Sequence, residues 1–260
     1  MPRSDRWKKR RLANDTPCED NPGGGFSSVR GAYEALGSTK FYASHGGEYR
    51  NPHEMLLSQA LNTALNKWLA AGAFRALRHE WNVIDLACGG GEASLALEAW
   101  ISTGSSSSES ANTYLKPSSV EITACDPYTA ERYRVRTGRV ACPWSFDDVA
   151  AGVLEQPSAK RPASQVATVP PYDMVLASFC LHLLDPPHLA AVLASLARSV
   201  RILVVATPHR HPIVEASTGW ESQAGAEEVV EHDVSEETGS AKHRVRLRFY
   251  RSTFVCAHRA

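Results

Sequence analysis

A short apolar run near residue 85 ends at an acidic residue and three consecutive glycines. The run is Trp81–Leu86, with Asp85 near its end, and the glycines are Gly89–Gly91. An apolar run that stops at glycines predicts a buried strand, and the leucines and alanines that follow predict a helix. Glycines let the backbone approach a ligand closely, and the first turn of a helix offers free N–H groups to it. This strand–turn–helix segment is therefore a candidate binding site for a nucleotide-like ligand.

Two classes of ligand use such a turn. A dinucleotide-binding turn has the pattern G-x-G-x-x-G, and Ser94 stands where its third glycine would be. The spacing D-x-x-C-G-x-G resembles instead the first motif of class I S-adenosylmethionine (SAM) dependent methyltransferases, which usually reads D-x-G-x-G-x-G. Ala87 replaces the first glycine of that motif. The resemblance implies that the turn binds SAM, while a glycine-rich turn without a ligand is the alternative. The motif residues expected to contact the cofactor are Asp85, Ala87, Cys88, Gly89 and Gly91.

A second acidic residue ends the next predicted strand, Val120–Asp126. A carboxylate at this place in a Rossmann-like fold accepts hydrogen bonds from ribose hydroxyls. Asp126 lies about 35 residues past the glycines rather than the usual ~20. The serine-rich segment Ser102–Ser119, interpreted as a surface insertion, accounts for the difference. Asp126 and Pro127 also resemble the second motif of the family, and Asp126 is predicted to hold the ribose.

A third candidate contact follows Val140–Trp144, which is predicted to be a further strand. Methyltransferases of this class often place an aspartate here for the adenine amino group. An apolar neighbour then packs on the adenine ring. The resemblance implies these roles for Asp147 and Phe146. An aspartate that caps the next helix is the alternative interpretation, and both can hold.

The segment Tyr172–Asp185 gives the strongest support for the resemblance. It is similar to the fourth family motif, in which a Y/F-D-x-V strand leads into a loop and a leucine–histidine pair. In the family, this strand ends beside the sulfonium of the methyl donor. The resemblance therefore implies that Ser178, Phe179 and His182 face the methyl group.

Histidines near the expected methyl position are candidates for a catalytic base. The ordinary pKa of a histidine such as His182 suits proton removal near neutral pH, and a structural, hydrogen-bonded histidine is the alternative. His209 follows the predicted strand Val200–Thr207, and ligands bind at the carboxyl ends of strands in this fold class. His209 and His211 lack a third ligand at a suitable spacing, so no metal site is expected.

The alternation of strands and helices predicts an α/β fold. We expect a doubly wound, mostly parallel seven-stranded sheet with a C-terminal antiparallel hairpin, as in class I methyltransferases. The hairpin is predicted from Val245–Tyr250 and Phe254–Ala257. The acidic segment Glu221–Glu237 is predicted to cover the sheet edge as a helix and a loop.

Three segments are expected along the chain: a disordered basic and polar tail at residues 1–30, an N-terminal helical lid at 31–80 and the SAM-binding domain at 81–260. The lid contains a loop with aromatic residues, a histidine, an arginine and two glycines, which suits closure over a ligand. An ordinary surface loop is the alternative. The lid residues expected near the substrate are Tyr42, His45, Tyr49, Arg50 and His53.

The charge distribution bears on the methyl acceptor. Lys+Arg and Asp+Glu are equal at 28 each, so the net charge identifies no partner. Basic residues crowd the first 12 positions and arginines recur over positions 244–251. Both could contact phosphates, which favours RNA as the acceptor. A solvated tail or a nuclear signal explains the first group equally well, and protection of an edge strand explains the second.

Two other functions remain open. One is a small-molecule methyltransferase with the lid as its cap and a mostly apolar pocket. The other is a non-catalytic protein of the same fold that acts as a partner subunit.

Cysteine spacing and hydropathy bear on the compartment. The six cysteines include no C-x-x-C pair, which argues for a reducing compartment and against a disulfide framework or a zinc site. No stretch approaches the roughly 18 apolar residues that a membrane span needs. The N-terminus lacks the apolar segment of a secretory signal. An intracellular protein, nuclear or cytoplasmic, without a membrane or metal partner, is therefore expected.

Overall fold

The computed structural model describes residues 40, 51–75, 77–103, 116–156, 172–236 and 239–256. The chain divides into two compact units, Met1–Gly46 and Gly47–Ala260. Lys40, which is helical, is the one described residue of the first unit. The predicted tail and most of the serine-rich segment lie outside the described residues.

Strands and helices alternate through the second unit. The strands are β1 (Glu80–Leu86), β2 (Ser119–Cys125), β3 (Tyr172–Ser178), β4 (Val200–Thr207), β5 (Trp220–Glu236) and β6 (Gly239–Ser252). The helices are α1 (Glu54–Ala70), α2 (Glu92–Ser102), α3 (Ala130–Thr137), α4 (Phe146–Ala150), α5 (Pro186–Ser199) and α6 (Thr253–Cys256).

The strands form one sheet in the order β2-β1-β3-β4-β6-β5. The first four strands in that order are parallel, and β6 is antiparallel to both β4 and β5. A single parallel bridge joins Cys142 to Cys125 at the free edge of β2. It occupies the position of a seventh strand, so the predicted strand at Val140–Trp144 is reduced to one bridge. The predicted doubly wound and mostly parallel sheet is confirmed, with six strands and this bridge in place of the seven strands expected.

Helices cover both faces of the sheet because the parallel strands are apolar on both sides. On one face, α1 and α2 share a core with the sheet, in which the rings of Trp68 and Phe249 lie 5.0 Å apart. On the other face, α4 and α5 pack against β3 and β4. The leucines of α1 recur at helical spacing, and Leu57, Leu61 and Leu65 are all buried, as the sequence predicts. Within the described residues, α1 is thus part of the layer that covers the sheet.

The C-terminal hairpin is present, but its strands differ from the prediction. The acidic segment Glu221–Glu237, expected as a helix and a loop, is strand β5 as far as Glu236. Phe254–Cys256, which belong to the expected strand Phe254–Ala257, lie in helix α6 instead. The physical reason is the pairing with β6, where Glu231 lies opposite Arg244. Opposite charges across an antiparallel pair stabilise strands, and this long-range pairing cannot be seen in the local composition.

The hairpin continues past the end of β4. The last residue of β4, Thr207, pairs with Arg246, and Val229 pairs with Arg246 on its other side. Among the described strands, the two remaining stretches, 230–236 and 239–245, pair only with each other. We call these stretches the hairpin arm. Because β6 is antiparallel to β4, the arm extends from the carboxyl edge of the parallel strands.

Candidate active site

The turn between β1 and α2 has the backbone conformation that the glycine motif predicts. The φ angles of Ala87, Gly89 and Gly91 are 52°, 55° and 85°. Cys88 N–H donates to the carbonyl of Cys125 at 3.1 Å, which ties the turn to the end of β2. Ala87 thus adopts the left-handed conformation for which glycine is better suited, at an energetic cost.

The three consecutive glycines differ in their surroundings. A Cβ atom on Gly90 or Gly91 would lie 2.7 Å from a side-chain atom of α3, so these two positions are closed by packing. A Cβ atom on Gly89 would meet a single atom within 4 Å, an oxygen of Glu92 at 3.3 Å. Gly89 is therefore where the backbone is open to a close approach by a ligand.

Asp85 is fully buried behind the turn. Its Oδ2 accepts hydrogen bonds from the backbone N–H (3.1 Å) and the hydroxyl (2.6 Å) of Ser94 in the first turn of α2. Its Oδ1 has no hydrogen-bond partner in the part of the chain that the structure describes. Burial raises the pKa of Asp85 from 3.8 to about 7, and the nearby carboxyl groups of Glu92 and Asp126 add to the effect. Asp85 thus fixes the first turn of α2 by accepting these two hydrogen bonds in the protein interior.

Asp126 joins the ends of β1 and β2 from the carboxyl edge of the sheet. Its Oδ2 accepts a hydrogen bond from Gly89 N–H at 3.3 Å. Its Oδ1 accepts hydrogen bonds from Tyr128 N–H at 2.8 Å and Thr129 N–H at 3.1 Å. Pro127 is exposed beside it. The structure therefore places this carboxylate next to the one open glycine of the turn.

Cys88 has a different character from the other turn residues. Its side chain is buried, and burial raises the pKa of its thiol far above the usual range. A neutral buried thiol behaves as a small apolar group. Cys88 therefore contributes to the turn through its backbone and its packing.

Phe146 and Asp147 begin the short helix α4. The cap of this helix is made by Ser145 and Asp148, each of which accepts a hydrogen bond from the backbone N–H of the other. Asp147 does not serve as the cap, and its exposed Oδ1 lies 3.2 Å from Nε2 of His188. The ring of Phe146 is half-buried, with its centroid 6.4 Å from that of His188. The helix-capping role that the sequence allows for Asp147 thus belongs to Asp148.

Ser178 and Phe179 lie where β3 ends. Phe179 has a φ of 54°, an unusual value for a bulky residue. Its N–H donates to the carbonyl of Ala206 at 2.8 Å, which fixes the backbone against β4. The half-buried ring of Phe179 stacks on the ring of His53, with centroids 5.5 Å apart. The fold thus brings His53, which precedes α1, to the end of β3.

His53 also meets the ring of His243 from β6, and it interacts electrostatically with His209, which in turn interacts with His182. We call His53, His182, His209 and His243 the histidine cluster. The rings of His53 and His243 meet edge to face, with centroids 5.3 Å apart. Burial lowers the pKa of His53, and the charges of His243 and His209 lower it further. Burial and the charge of His209 likewise lower the pKa of His182.

The sequence analysis missed His243. Its signal was present in the alternation of β6, because His243 shares a strand face with Val245, Leu247 and Phe249. These three residues are buried. A histidine at the end of an apolar strand face is a candidate for a site contact. Its contact with His53 could be recognised only from the position of the hairpin arm in the structure.

A charge network connects the glycine turn to the start of α1. Arg136 on α3 donates from Nη1 to Oε1 of Glu92 at 2.8 Å and from Nη2 to Oε1 of Glu54. The other oxygen of Glu92 accepts from Gly90 N–H at 3.0 Å. The turn and the helix that follows His53 are therefore held by one guanidinium.

Some predicted residues cannot be placed in this site. Tyr42, His45, Tyr49 and Arg50 lie outside the described residues, so their roles in a lid remain predictions.

In the described ranges, no group of three or more His, Cys, Asp or Glu side chains could hold a metal ion. No helix among the described residues is long and apolar enough to cross a membrane.

The chain was compared with known proteins. No protein-family model matches it. The fold resembles magnesium protoporphyrin IX methyltransferase from Synechocystis PCC 6803, solved with bound SAM, with 13% identity over 85% of this chain and 95% of that chain (TM-score 0.42). It also resembles the PH0226 protein from Pyrococcus horikoshii OT3, with 12% identity over 85% of this chain and 98% of that chain (TM-score 0.41).

A curated protein shows closer similarity in sequence. The uncharacterized protein C17A5.05c of Schizosaccharomyces pombe is 33% identical over 214 residues, which cover 75% of this chain and 80% of the yeast protein. Identity at this level over most of both chains shows common family membership. The chain therefore belongs to the same family as C17A5.05c of fission yeast.

Proposed function

We propose that the protein is a SAM-dependent methyltransferase. The observation that carries the proposal is the pairing of Gly89 with Asp126 at the ends of two adjacent parallel strands. Gly89 is open where a Cβ atom would otherwise stand, and the Asp126 carboxylate next to it can accept hydrogen bonds from two vicinal hydroxyls. A nucleoside with a ribose and no phosphate fits this combination, because a phosphate would be repelled by the carboxylate.

The surrounding residues fit the remaining parts of SAM. The half-buried ring of Phe146 and the carboxylate of Asp147 suit an adenine ring and its amino group. Ser178 and Phe179 lie at the end of β3, and the resemblance to the fourth motif of class I methyltransferases supports their position beside the reacting methyl group. SAM supplies a methyl carbon activated by a positively charged sulfur. The protein's own task is to bind, orient and exclude water, which removes much of the entropic cost of the transfer.

The paired arginines of β6 favour a small-molecule acceptor over RNA. Arg246 Nη1 lies 2.9 Å from Oε1 of Glu227, and Arg244 Nη2 lies 2.5 Å from Oε1 of Glu231. Arg248 donates to the carbonyl of Arg210 at 3.0 Å. Guanidinium groups that already pair with carboxylates on the neighbouring strand offer little net charge to a phosphate backbone. The RNA hypothesis then depends on the basic residues of the N-terminal 12 positions.

Transfer of a labelled methyl group tests the function and the acceptor together. The protein is incubated with SAM carrying a labelled methyl group and with a cell extract separated into RNA, protein and small molecules. We expect label in the small-molecule fraction, unaffected by ribonuclease. Label in RNA would contradict the small-molecule acceptor. Binding of the donor without label in any fraction would instead support the non-catalytic alternative.

A further inference from the structure

A histidine in the first turn of α5 contacts both residues that the proposed function assigns to adenine. The ring of His188 meets the half-buried ring of Phe146 edge to face, with centroids 6.4 Å apart. Its Nε2 lies 3.2 Å from Oδ1 of Asp147. Phe146 and Asp147 are the first two residues of α4. One imidazole therefore contacts the beginning of that helix at two places.

The chain path brings this contact to the edge of the sheet that holds the glycine turn. Cys142 bridges β2 in the parallel sense, so the segment that follows it, including α4, leaves the sheet at the carboxyl edge. β3 is parallel to β1, so α5 also begins beyond that edge. The two helices come from either side of β1 and β2 and share one apolar core. The contact between His188 and Asp147 thus joins segments on either side of the ends of these two strands.

Asp147 needs a partner if it is to act as a fixed hydrogen-bond acceptor. Its side chain is 89% exposed, and the cap of α4 is made by Ser145 and Asp148 instead. An exposed carboxylate changes rotamer freely, and immobilising it on binding reduces affinity. Among the described residues, the Asp147 carboxylate forms an ion-pair contact with His188 alone. His188 is therefore the side chain that can fix this carboxylate before the ligand arrives.

Nε2 of His188 in turn needs an acceptor. This nitrogen is closed off from solvent and has no aligned hydrogen bond within the described ranges. A buried nitrogen without a partner is costly, which favours rotation of the nearby Asp147 carboxylate into line with it. The backbone of His188 is already held, because its N–H donates to Oδ1 of Asp185, the N-cap of α5, at 2.9 Å. The histidine is thus the fixed partner and the carboxylate the adjustable one.

We propose that His188 is a positioning residue for the adenine base of the methyl donor, an inference that rests on the proposed function. Nε2–H of His188 donates to Oδ1 of Asp147 and fixes the carboxylate. Oδ2 then remains free to accept a hydrogen bond from the 6-amino group of adenine. The ring of Phe146 packs on the base. Together, the three side chains select a purine that carries an amino group at C6.

A donor analogue without the amino group tests this selection. Calorimetric titration of the full-length protein compares S-adenosylhomocysteine, the demethylated product of SAM, with its purine analogue, in which hydrogen replaces the 6-amino group. We expect the analogue to bind about tenfold more weakly, as for the loss of one hydrogen bond to a charged group. Equal affinities for the two compounds would overturn the inference and leave the proposed function standing. Absence of binding of S-adenosylhomocysteine would instead overturn the proposed function itself.

Matched variants separate the hydrogen bond of His188 from its packing. His188→Phe keeps a ring against Phe146 but has no donor, and we expect it to reduce the preference for the 6-amino group from about tenfold to about threefold. His188→Gln keeps an amide N–H near the position of Nε2 and is expected to retain most of the preference. His79→Phe is the control, because His79 is exposed before β1, at the opposite end of the strand. A preference unchanged in His188→Phe, or lost equally in both His188 variants, would refute the positioning role.

A second substitution shows whether His188 acts through Asp147. Asp147→Ala removes the acceptor and is expected to reduce the preference for the 6-amino group on its own. Adding His188→Phe to Asp147→Ala is then expected to change the preference no further, because the carboxylate that His188 orients is gone. Additive effects of the two substitutions would mean that His188 acts on the base independently of Asp147, which contradicts the proposal.

Discussion

The backbone of Ala87 carries a cost that glycine would remove. Its φ of 52° lies in the left-handed region, and the usual family motif has glycine at this place. We expect Ala87→Gly to raise the free energy of unfolding by about 0.5–1 kcal/mol, since relief of strain exceeds the added entropy of the unfolded chain. Denaturant unfolding at constant pH measures the change.

The opposite substitution at Gly138 provides the control. Gly138 has a φ of 72°, and a Cβ atom there would have nothing within 4 Å. Gly138→Ala therefore tests backbone strain alone and is expected to lower the free energy of unfolding by about 1 kcal/mol. If both variants shift stability in the same direction, left-handed strain is not what distinguishes Ala87.

The titration of Asp85 makes the free energy of unfolding depend on pH. The folded state raises its pKa to about 7, whereas an unfolded aspartate has a pKa of about 3.9. Between these values, the folded protein holds a proton that the unfolded chain has lost. The contribution of Asp85 to the free energy of unfolding therefore falls as pH rises through this window, by up to about 1.4 kcal/mol per pH unit.

Replacement of Asp85 by Asn removes this titration. The difference in stability between Asp85→Asn and the unmodified protein is therefore expected to shift in favour of the variant as pH rises from about 4 to about 7. It should then stay constant at higher pH. Urea unfolding of both proteins across this range measures the difference. A difference that does not change with pH would show that Asp85 is ionised in the folded protein throughout.

Among the elements, α3 carries the link between the glycine turn and α1. Arg136 contacts Glu92, whose side chain is 4% exposed. Loss of the Arg136 guanidinium would leave the Glu92 carboxylate buried without its ion-pair partner. We expect Arg136→Gln to lower the free energy of unfolding by about 2–4 kcal/mol. Arg134 on the same helix pairs with Glu131 in full exposure to solvent, so Arg134→Gln should leave the free energy of unfolding nearly unchanged. Equal losses in thermal or denaturant unfolding would contradict the role of Arg136.

The strands that sequence patterns identified are those with strong local signals. The apolar runs at β1, β3 and β4 and the glycines after β1 predicted both the parallel sheet and the turn. Strand β5 was not recognised because its glutamates are explained only by the arginines of β6, which are distant in sequence. For the same reason, the position of His243 beside His53 could not be predicted. Cross-strand register decides both contacts.

At the scale of the whole molecule, the fold collects residues from most of the chain at one edge of the sheet. The predicted ends of β1 and β2 bring Asp126 to Gly89, and the hairpin arm adds His243 on the side of β4. The expected acceptor contacts from Tyr42 to Arg50 stay predictions. Membership in a family with C17A5.05c of fission yeast means that a result on one protein bears directly on the other.

The central claim is that the methyl donor binds where Asp126 meets Gly89. Calorimetric titration with S-adenosylhomocysteine tests it most directly, using the unmodified protein, Asp126→Asn and the exposed control Glu131→Gln. We predict binding to the unmodified protein and the control, and an affinity about 10–100-fold lower for Asp126→Asn, as expected when a charged hydrogen-bond acceptor is lost. Absence of binding to the unmodified protein, or equal affinity in all three, would contradict the account.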